Sequence, residues 1–227
     1  MRVYHLHDWN VTPGEAIALQ RALAGQLDWS SPVSLSAVQL VAGVDVSVQT
    51  AFDGHAQSQA AVVVLRLSDM SLVETVTAEL PTPFPYIPGL LTFREGPVLE
   101  LAFEQLQAEP DVFIFDGMGR AHPRRIGIAA HLGLWLEKPT IGCGKTLFVG
   151  RYNALSQERG AWAPLVDRGE VIGAALRTRP NANPVFISAG HRIDLESSLQ
   201  LVMACTGRFR LPEPIRAAHR AAGAMRF

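Results

Sequence analysis

The run Val112-Phe113-Ile114-Phe115 is the strongest constraint on the fold of this chain. Four consecutive apolar residues leave no face to turn toward water. The run ends in Asp116 and the sharp turn Gly117-Met118-Gly119, so it reads as a short strand buried on both faces with an acid at its carboxyl end. The flanking segments supply the covering layers. Thr12-Pro13 is an N-cap followed by proline at the first helical position, and Ala16, Leu19, Leu23 and Leu27 continue at helical spacing over 13–27. A Ser/Pro connector spans 28–37. Strands follow at 40–48, 61–67 and 72–80, with turns at Phe52-Asp53-Gly54 and Ser68-Asp69, an antiparallel meander. A helix over 94–108 ends at Glu109-Pro110. Helix and strand then alternate: the strand at 112–116, a helix at 125–136 and a strand at 140–142. Strands at 163–167, 170–177 and 185–189, a helix at 195–205 capped by Asp194, and a last helix after Leu211-Pro212-Glu213-Pro214 complete the chain. The order predicts one α/β domain over residues 1–227, a mixed sheet with helices on both faces.

Composition bounds the function. Net charge is −1 and there is no charged tail, so any nucleic-acid-binding face must be a local basic patch. The cations are nearly all arginine, with Lys138 and Lys145 the exceptions, which marks places where a compact ammonium is wanted. Cys143 and Cys205 have no zinc-type spacing and fit free thiols in a reducing compartment. His5, His7 and Asp8 stand where a secretory signal would begin, and no apolar run reaches membrane-spanning length. A soluble, cytoplasmic protein is expected.

Pro85-Tyr86-Ile87-Pro88-Gly89 is a rigid turn with an aromatic tip, because each proline fixes its own φ and biases its predecessor toward extended backbone. Tyr86 could tuck back onto the core; the bracketing prolines favour an exposed probe of the kind that wedges between stacked bases. Three acids stand on rigid elements: Asp45 inside the first strand, Glu95 at the start of the helix after the wedge, and Asp116. Hard oxygen donors so placed suit Mg²⁺ and metal-assisted phosphodiester hydrolysis. Each also has a structural explanation, since Asp45 could pair with a core arginine, Glu95 could serve the helix dipole and Asp116 could cap a turn. Gly144-Lys145-Thr146 looks like a phosphate loop, but that motif needs glycine where Pro139 stands. Lys145 could instead steady a phosphate as a point charge. His122-Pro123-Arg124-Arg125 could grip phosphates at a helix start, His219 could serve a metal as ligand or proton relay, and His191 is a weaker supporting candidate.

Taken together, Pro85–Gly89, Phe93-Arg94-Glu95, Asp116-Gly117, His122–Arg125, Ile141-Gly142-Cys143-Gly144-Lys145, Asn183-Pro184 through Gly190-His191-Arg192, and Leu211–Pro214 resemble the motif series of endonuclease V, from about residue 10 to 222. The resemblance implies a ribonuclease H-like fold and an enzyme that nicks nucleic acid at deoxyinosine, the deamination product of adenine. It implies Mg²⁺ or Mn²⁺ as cofactor and a cut at the second phosphodiester 3′ to the lesion, leaving 3′-hydroxyl and 5′-phosphate ends. By the same resemblance Asp45, Glu95 and Asp116 hold the metal, and Lys145 and His219 complete the catalytic set. Pro85, Tyr86, Ile87 and Pro88 form the wedge, and Gly89, Gly117 and Gly127 line the lesion pocket. Arg94, His122 and Arg124 fall among the nucleic-acid contacts. The sequence departs from the pattern at Met118, where histidine or asparagine is frequent, at Gly144, where alanine is common, and at Thr146. DNA containing deoxyinosine is the expected partner, bound by a monomer. An inosine-directed ribonuclease with the same site, and a protein that marks lesions without cutting, are the rival readings.

Overall fold

β1 (Leu40–Thr50), β2 (Ala56–Arg66) and β3 (Leu72–Pro81) form the expected antiparallel meander. The computed structural model describes residues 1–50 and 55–223, and the turn expected at Phe52-Asp53-Gly54 lies outside the described residues. β1 pairs in parallel with β4 (Val112–Phe115), and β4 with β5 (Thr140–Gly144). Beyond β5 the sheet turns antiparallel through β8 (Val185–His191), β7 (Glu170–Leu176) and β6 (Trp162–Asp167). The eight strands run in the order β3-β2-β1-β4-β5-β8-β7-β6.

Alternation along β1 and β4 separates two cores. Ala42, Val44, Phe113 and Phe115 face α2 (Leu91–Gln105) and α3 (Ile128–Leu136), meeting Leu99, Phe103, Leu132 and Trp135. Val41, Val112 and Ile114 face the other way, toward Leu201 and Val202 of α4 (Leu195–Ala204) and Ile215 of α5 (Glu213–Ala222). Every β4 side chain is therefore buried, each contributing about 1.5–3 kcal/mol relative to exposure. This is the ribonuclease H-like mixed sheet with helices on both faces. α1 (Pro13–Ala24), closed by a Thr12–Glu15 capping box, packs outside α3 through Leu23 and against Phe84, Leu90 and Phe93 through Ala16. Among the described residues no helix is long and apolar enough to cross a membrane.

Several boundaries differ from the sequence expectation. α1 stops at Ala24, with Gly25 as its C-cap, rather than at 27. α2 begins at Leu91, so Glu95 lies in its second turn rather than opening the helix. α3 begins only at Ile128, because Arg125 adopts φ +63° and turns the backbone away from helical geometry. β2 starts at Ala56, its first residues hidden from a hydrophobic reading by Gln57, Ser58 and Gln59.

Candidate active site

The parallel register of β1 and β4 brings two carboxylates together. Val41 pairs with Val112, Gly43 with Ile114 and Val44 with Phe115. The next amide, that of Asp116, donates to the Val44 carbonyl at 3.0 Å. Asp116 thus stands beside Asp45, and alternation points both toward the α5 side of the sheet. α5 can approach because Gly43 has no side chain: a Cβ there would lie 2.0 Å from the carbonyl oxygen of Pro214. With the helix seated on the strand, His219 Nδ1 comes within 2.7 Å of Asp45 Oδ2. Lys145 directly follows β5, and its ammonium pairs with Asp116 Oδ2. Glu95 reaches the same cleft from α2. His191 is remote from this group. It pairs with Thr140 at the other end of β5 from Lys145, and its ring contacts the Asp28 amide and Glu137.

The three acids crowd one another. Burial first, then the charges of Asp45 and Asp116, push the Glu95 carboxyl up to about 8, with Arg94 pulling the other way. Asp45 is also pushed up, by burial and then by Asp116, against its His219 hydrogen bond and the Lys145 charge. Ligand atoms of Asp45, Asp116 and His219 all lie within 4.8 Å of one another. Two hard oxygens and an imidazole, in a site whose carboxylates repel, form a donor set that fits a divalent cation. The thiols take no part. Burial drives Cys143 and Cys205 up to about 12, so neither is a thiolate near neutrality.

A second cavity of about 280 Å³ adjoins the cleft, and Asp116 and Lys145 line both. Gly89, Gly117 and Gly127 all line this cavity, as do Tyr86, Ile87 and Pro88 at its rim. Gly127 cannot carry a side chain without shifting backbone, since a Cβ would lie 2.2 Å from the Met118 carbonyl oxygen. The two departures noted at Met118 and Gly144 meet here: a Cβ on residue 144 would fall 2.3 Å from the Met118 methyl group, so the thioether fills that space.

Tyr86 is 69 % exposed at the tip of the proline-bracketed loop. Arg94, His122 and Arg124 face inward onto the loop backbone. Arg94 Nη1 donates to the Phe84 carbonyl at 2.7 Å, and Arg124 Nη2 donates to the Gly89 carbonyl at 2.7 Å. His122 is buried, which pushes its ring down to about 4, helped by the charge of Arg124. Its Nδ1 accepts from the Arg124 amide, leaving Nε2–H to donate to the same Gly89 carbonyl at 3.0 Å. Arg125 is held by Asp167 and Glu170. Sequence reasoning missed Gln20, which also donates to Gly89, and Arg210, whose guanidinium braces the carbonyls of Lys145 and Pro184. Gln20 left one legible sign: a polar residue between Ala16 and Leu23 on the buried stripe of α1.

The sequence pattern of the endonuclease V family matches residues 13–220. The endonuclease V of Methanothrix thermoacetophila is 49 % identical over 96 % of this chain and 94 % of its own length. The crystal structure of the Bacillus subtilis endonuclease V superposes with a TM-score of 0.95 at 33 % identity, covering 99 % of this chain and 96 % of that one. The endonuclease V of Ciona intestinalis, solved in complex with DNA containing an inosine followed by a ribo-adenosine, gives a TM-score of 0.79 at 29 % identity, covering 92 % of this chain and 95 % of that one. The match spans the carboxylate cleft, the glycine-walled cavity and the proline-bracketed loop, and the chain is a nuclease of the endonuclease V family.

Proposed function

We propose that the chain is a DNA-repair endonuclease that recognises deoxyinosine and hydrolyses the second phosphodiester on its 3′ side, leaving 3′-hydroxyl and 5′-phosphate ends. The observation that carries this reading is the shared wall: Asp116 and Lys145 line both the carboxylate cleft and the adjoining cavity. A base taken into the cavity therefore keeps its own strand beside the acids. Tyr86 acts as the wedge, and the backbone groups at Gly117 and Gly127 meet the flipped base at close range. Asp45, Asp116 and His219, with Glu95 at the same cleft, would hold Mg²⁺ or Mn²⁺, which supplies Lewis acidity and an acidic water. Lys145 offers a point charge to the scissile phosphate. Action as a monomer and a cytoplasmic site of action belong to the same proposal.

The test is a nicking assay on a duplex carrying one deoxyinosine, with Mg²⁺ or with EDTA. A metal-dependent nick at the second phosphodiester on the 3′ side is expected. A lesion-specific gel shift without any nick would replace the reading with a lesion-marking protein. The Ciona complex, with its ribonucleotide after the inosine, gives specific weight to the ribonuclease reading. Matched strands differing in one 2′-hydroxyl separate the two, and faster cutting of the ribo strand would transfer the substrate to RNA.

Two further outcomes follow from the geometry. Tyr86→Ala is expected to slow cleavage of a lesion duplex about tenfold while leaving a single-stranded lesion nearly unaffected, because base–aromatic stacking contributes about 1–3 kcal/mol. Equal losses on both substrates would remove the wedge role. Adding Mg²⁺ or Mn²⁺ to EDTA-treated protein at about a hundred times the dissociation constant contributes about 2.7 kcal/mol of stability. A thermal melt should therefore rise by about 5–10 °C. No rise at any metal concentration would leave the cleft without an ion.

A further inference from the structure

We infer that Gln20, on α1, is a positioning residue for the Pro85–Pro88 loop: it locks the Gly89 carbonyl to the Arg124 guanidinium and so holds Tyr86 in its strand-opening position. The inference rests on the reading of Tyr86 as a wedge. Gln20 is 1 % exposed and uses both ends of its amide. Nε2 donates to the Gly89 carbonyl at 3.0 Å and to the Ile126 carbonyl at 3.4 Å. Oε1 accepts from Arg124 Nε at 2.6 Å, and Arg124 Nη2 returns to the Gly89 carbonyl at 2.7 Å. The three groups close a ring of hydrogen bonds, with His122 Nε2 as a further donor to the same oxygen.

Gly89 is the joint on which this ring acts. It sits at φ +84°, the left-handed region that glycine adopts without strain, and it immediately follows Pro88. On the other side of the tip, Arg94 fixes the Phe84 carbonyl. The loop is thus anchored at both ends, while its exposed tyrosine has little of its own to hold it. A wedge that parts stacked bases works only if its base does not yield, so order at Gly89 is prepaid rather than supplied during insertion. Removing Gln20 would leave Arg124 Nε unpaired in a half-buried site and loosen the remaining donors to Gly89. Ala16 and Leu23, on the same stripe, pack in apolar clusters, whereas the amide at position 20 makes its shortest hydrogen bonds with Arg124 and the Gly89 carbonyl.

The test uses Gln20→Met, which keeps the side-chain length and removes all three side-chain hydrogen bonds, measured below the onset of its own thermal unfolding. Backbone amide exchange over residues 84–91 is expected to rise about tenfold, the scale of losing one charge-assisted hydrogen bond, while exchange in β4 stays unchanged. Cleavage of a deoxyinosine duplex should lose about tenfold, carried by KM with kcat nearly constant, and a single strand of the same sequence should be cut at the wild-type rate. Unchanged exchange over 84–91, or equal losses on duplex and single strand, would overturn the inference. Tyr86→Ala, measured alongside, separates this from failure of the wedge reading. If Tyr86→Ala shifts the duplex-to-single-strand ratio and Gln20→Met does not, the positioning role is wrong. If neither shifts it although the loop has loosened, the wedge reading falls and the inference falls with it.

Discussion

Asp116→Asn is expected to lower single-turnover cleavage of a deoxyinosine duplex by about 10²–10³-fold, the range seen when one strong electrostatic contact to a transition state is removed, and to leave lesion binding as tight as wild type or tighter. Two effects of opposite sign act on one side chain. Asp116 is one of three groups whose ligand atoms lie within 4.8 Å of one another, so its loss removes a hard donor from the set. It is also one of three acids in a cleft that must receive a polyanion, and with no ion bound each added negative charge repels the phosphates. Asparagine keeps the volume and removes the charge, so chemistry falls while repulsion is relieved. The check is a pair of measurements on one substrate: the cleavage rate in Mg²⁺, and the dissociation constant in EDTA. A rate near wild type would take Asp116 out of the reaction, and a large loss of binding would mean that it holds the fold rather than the metal. Asp45→Asn should behave alike, with the added consequence that His219 exchanges a charged partner at 2.7 Å for a neutral amide.

Gly43→Ala is expected to disrupt both the fold and the site. A Cβ there would stand 2.0 Å from the Pro214 carbonyl oxygen and 2.2 Å from its carbon, both backbone atoms that no rotamer change can move. Overpacking of this kind costs about 1–3 kcal/mol or more. The melting temperature should therefore fall by about 5–10 °C for a chain of this size. Activity should fall further than stability, because the displaced element is α5. Moving that helix off β1 withdraws His219 from Asp45 while leaving Asp45 and Asp116 in place on their strands. Thermal melts and cleavage rates taken well below unfolding distinguish the two losses. An alanine variant with wild-type melting and wild-type rate would show that α5 is free to ride outward at no cost.

Much of this architecture was legible before any coordinates. The apolar run at 112–115 required a strand covered on both faces, and alternation along it decides which side chains meet which helix layer. Thr12-Pro13 and Asp194 marked helix starts, because capping depends on neighbours only a few residues away. The boundaries that slipped are those where local polarity misleads. Gln57, Ser58 and Gln59 are partly or wholly buried in their strand, and Arg125 takes a left-handed turn that no propensity announces.

Of the site, the sequence by itself determined the inventory: three acids on rigid elements, a lysine in a chain of arginines, and a tyrosine held between prolines. Those features are local, and local chemistry can be read from neighbouring letters. Tertiary structure alone decided who meets whom. Asp45 and Asp116 are adjacent only because two parallel strands chose one register, and His219 joins them only because a missing side chain at Gly43 admits α5. Arg94, His122 and Arg124, which the resemblance put among the nucleic-acid contacts, reach the carbonyls of Phe84 and Gly89, a set of partners that no short stretch of sequence shows. Distances between residues tens of positions apart are set by the packing of whole layers, and a linear chain does not carry that information in any one of its segments.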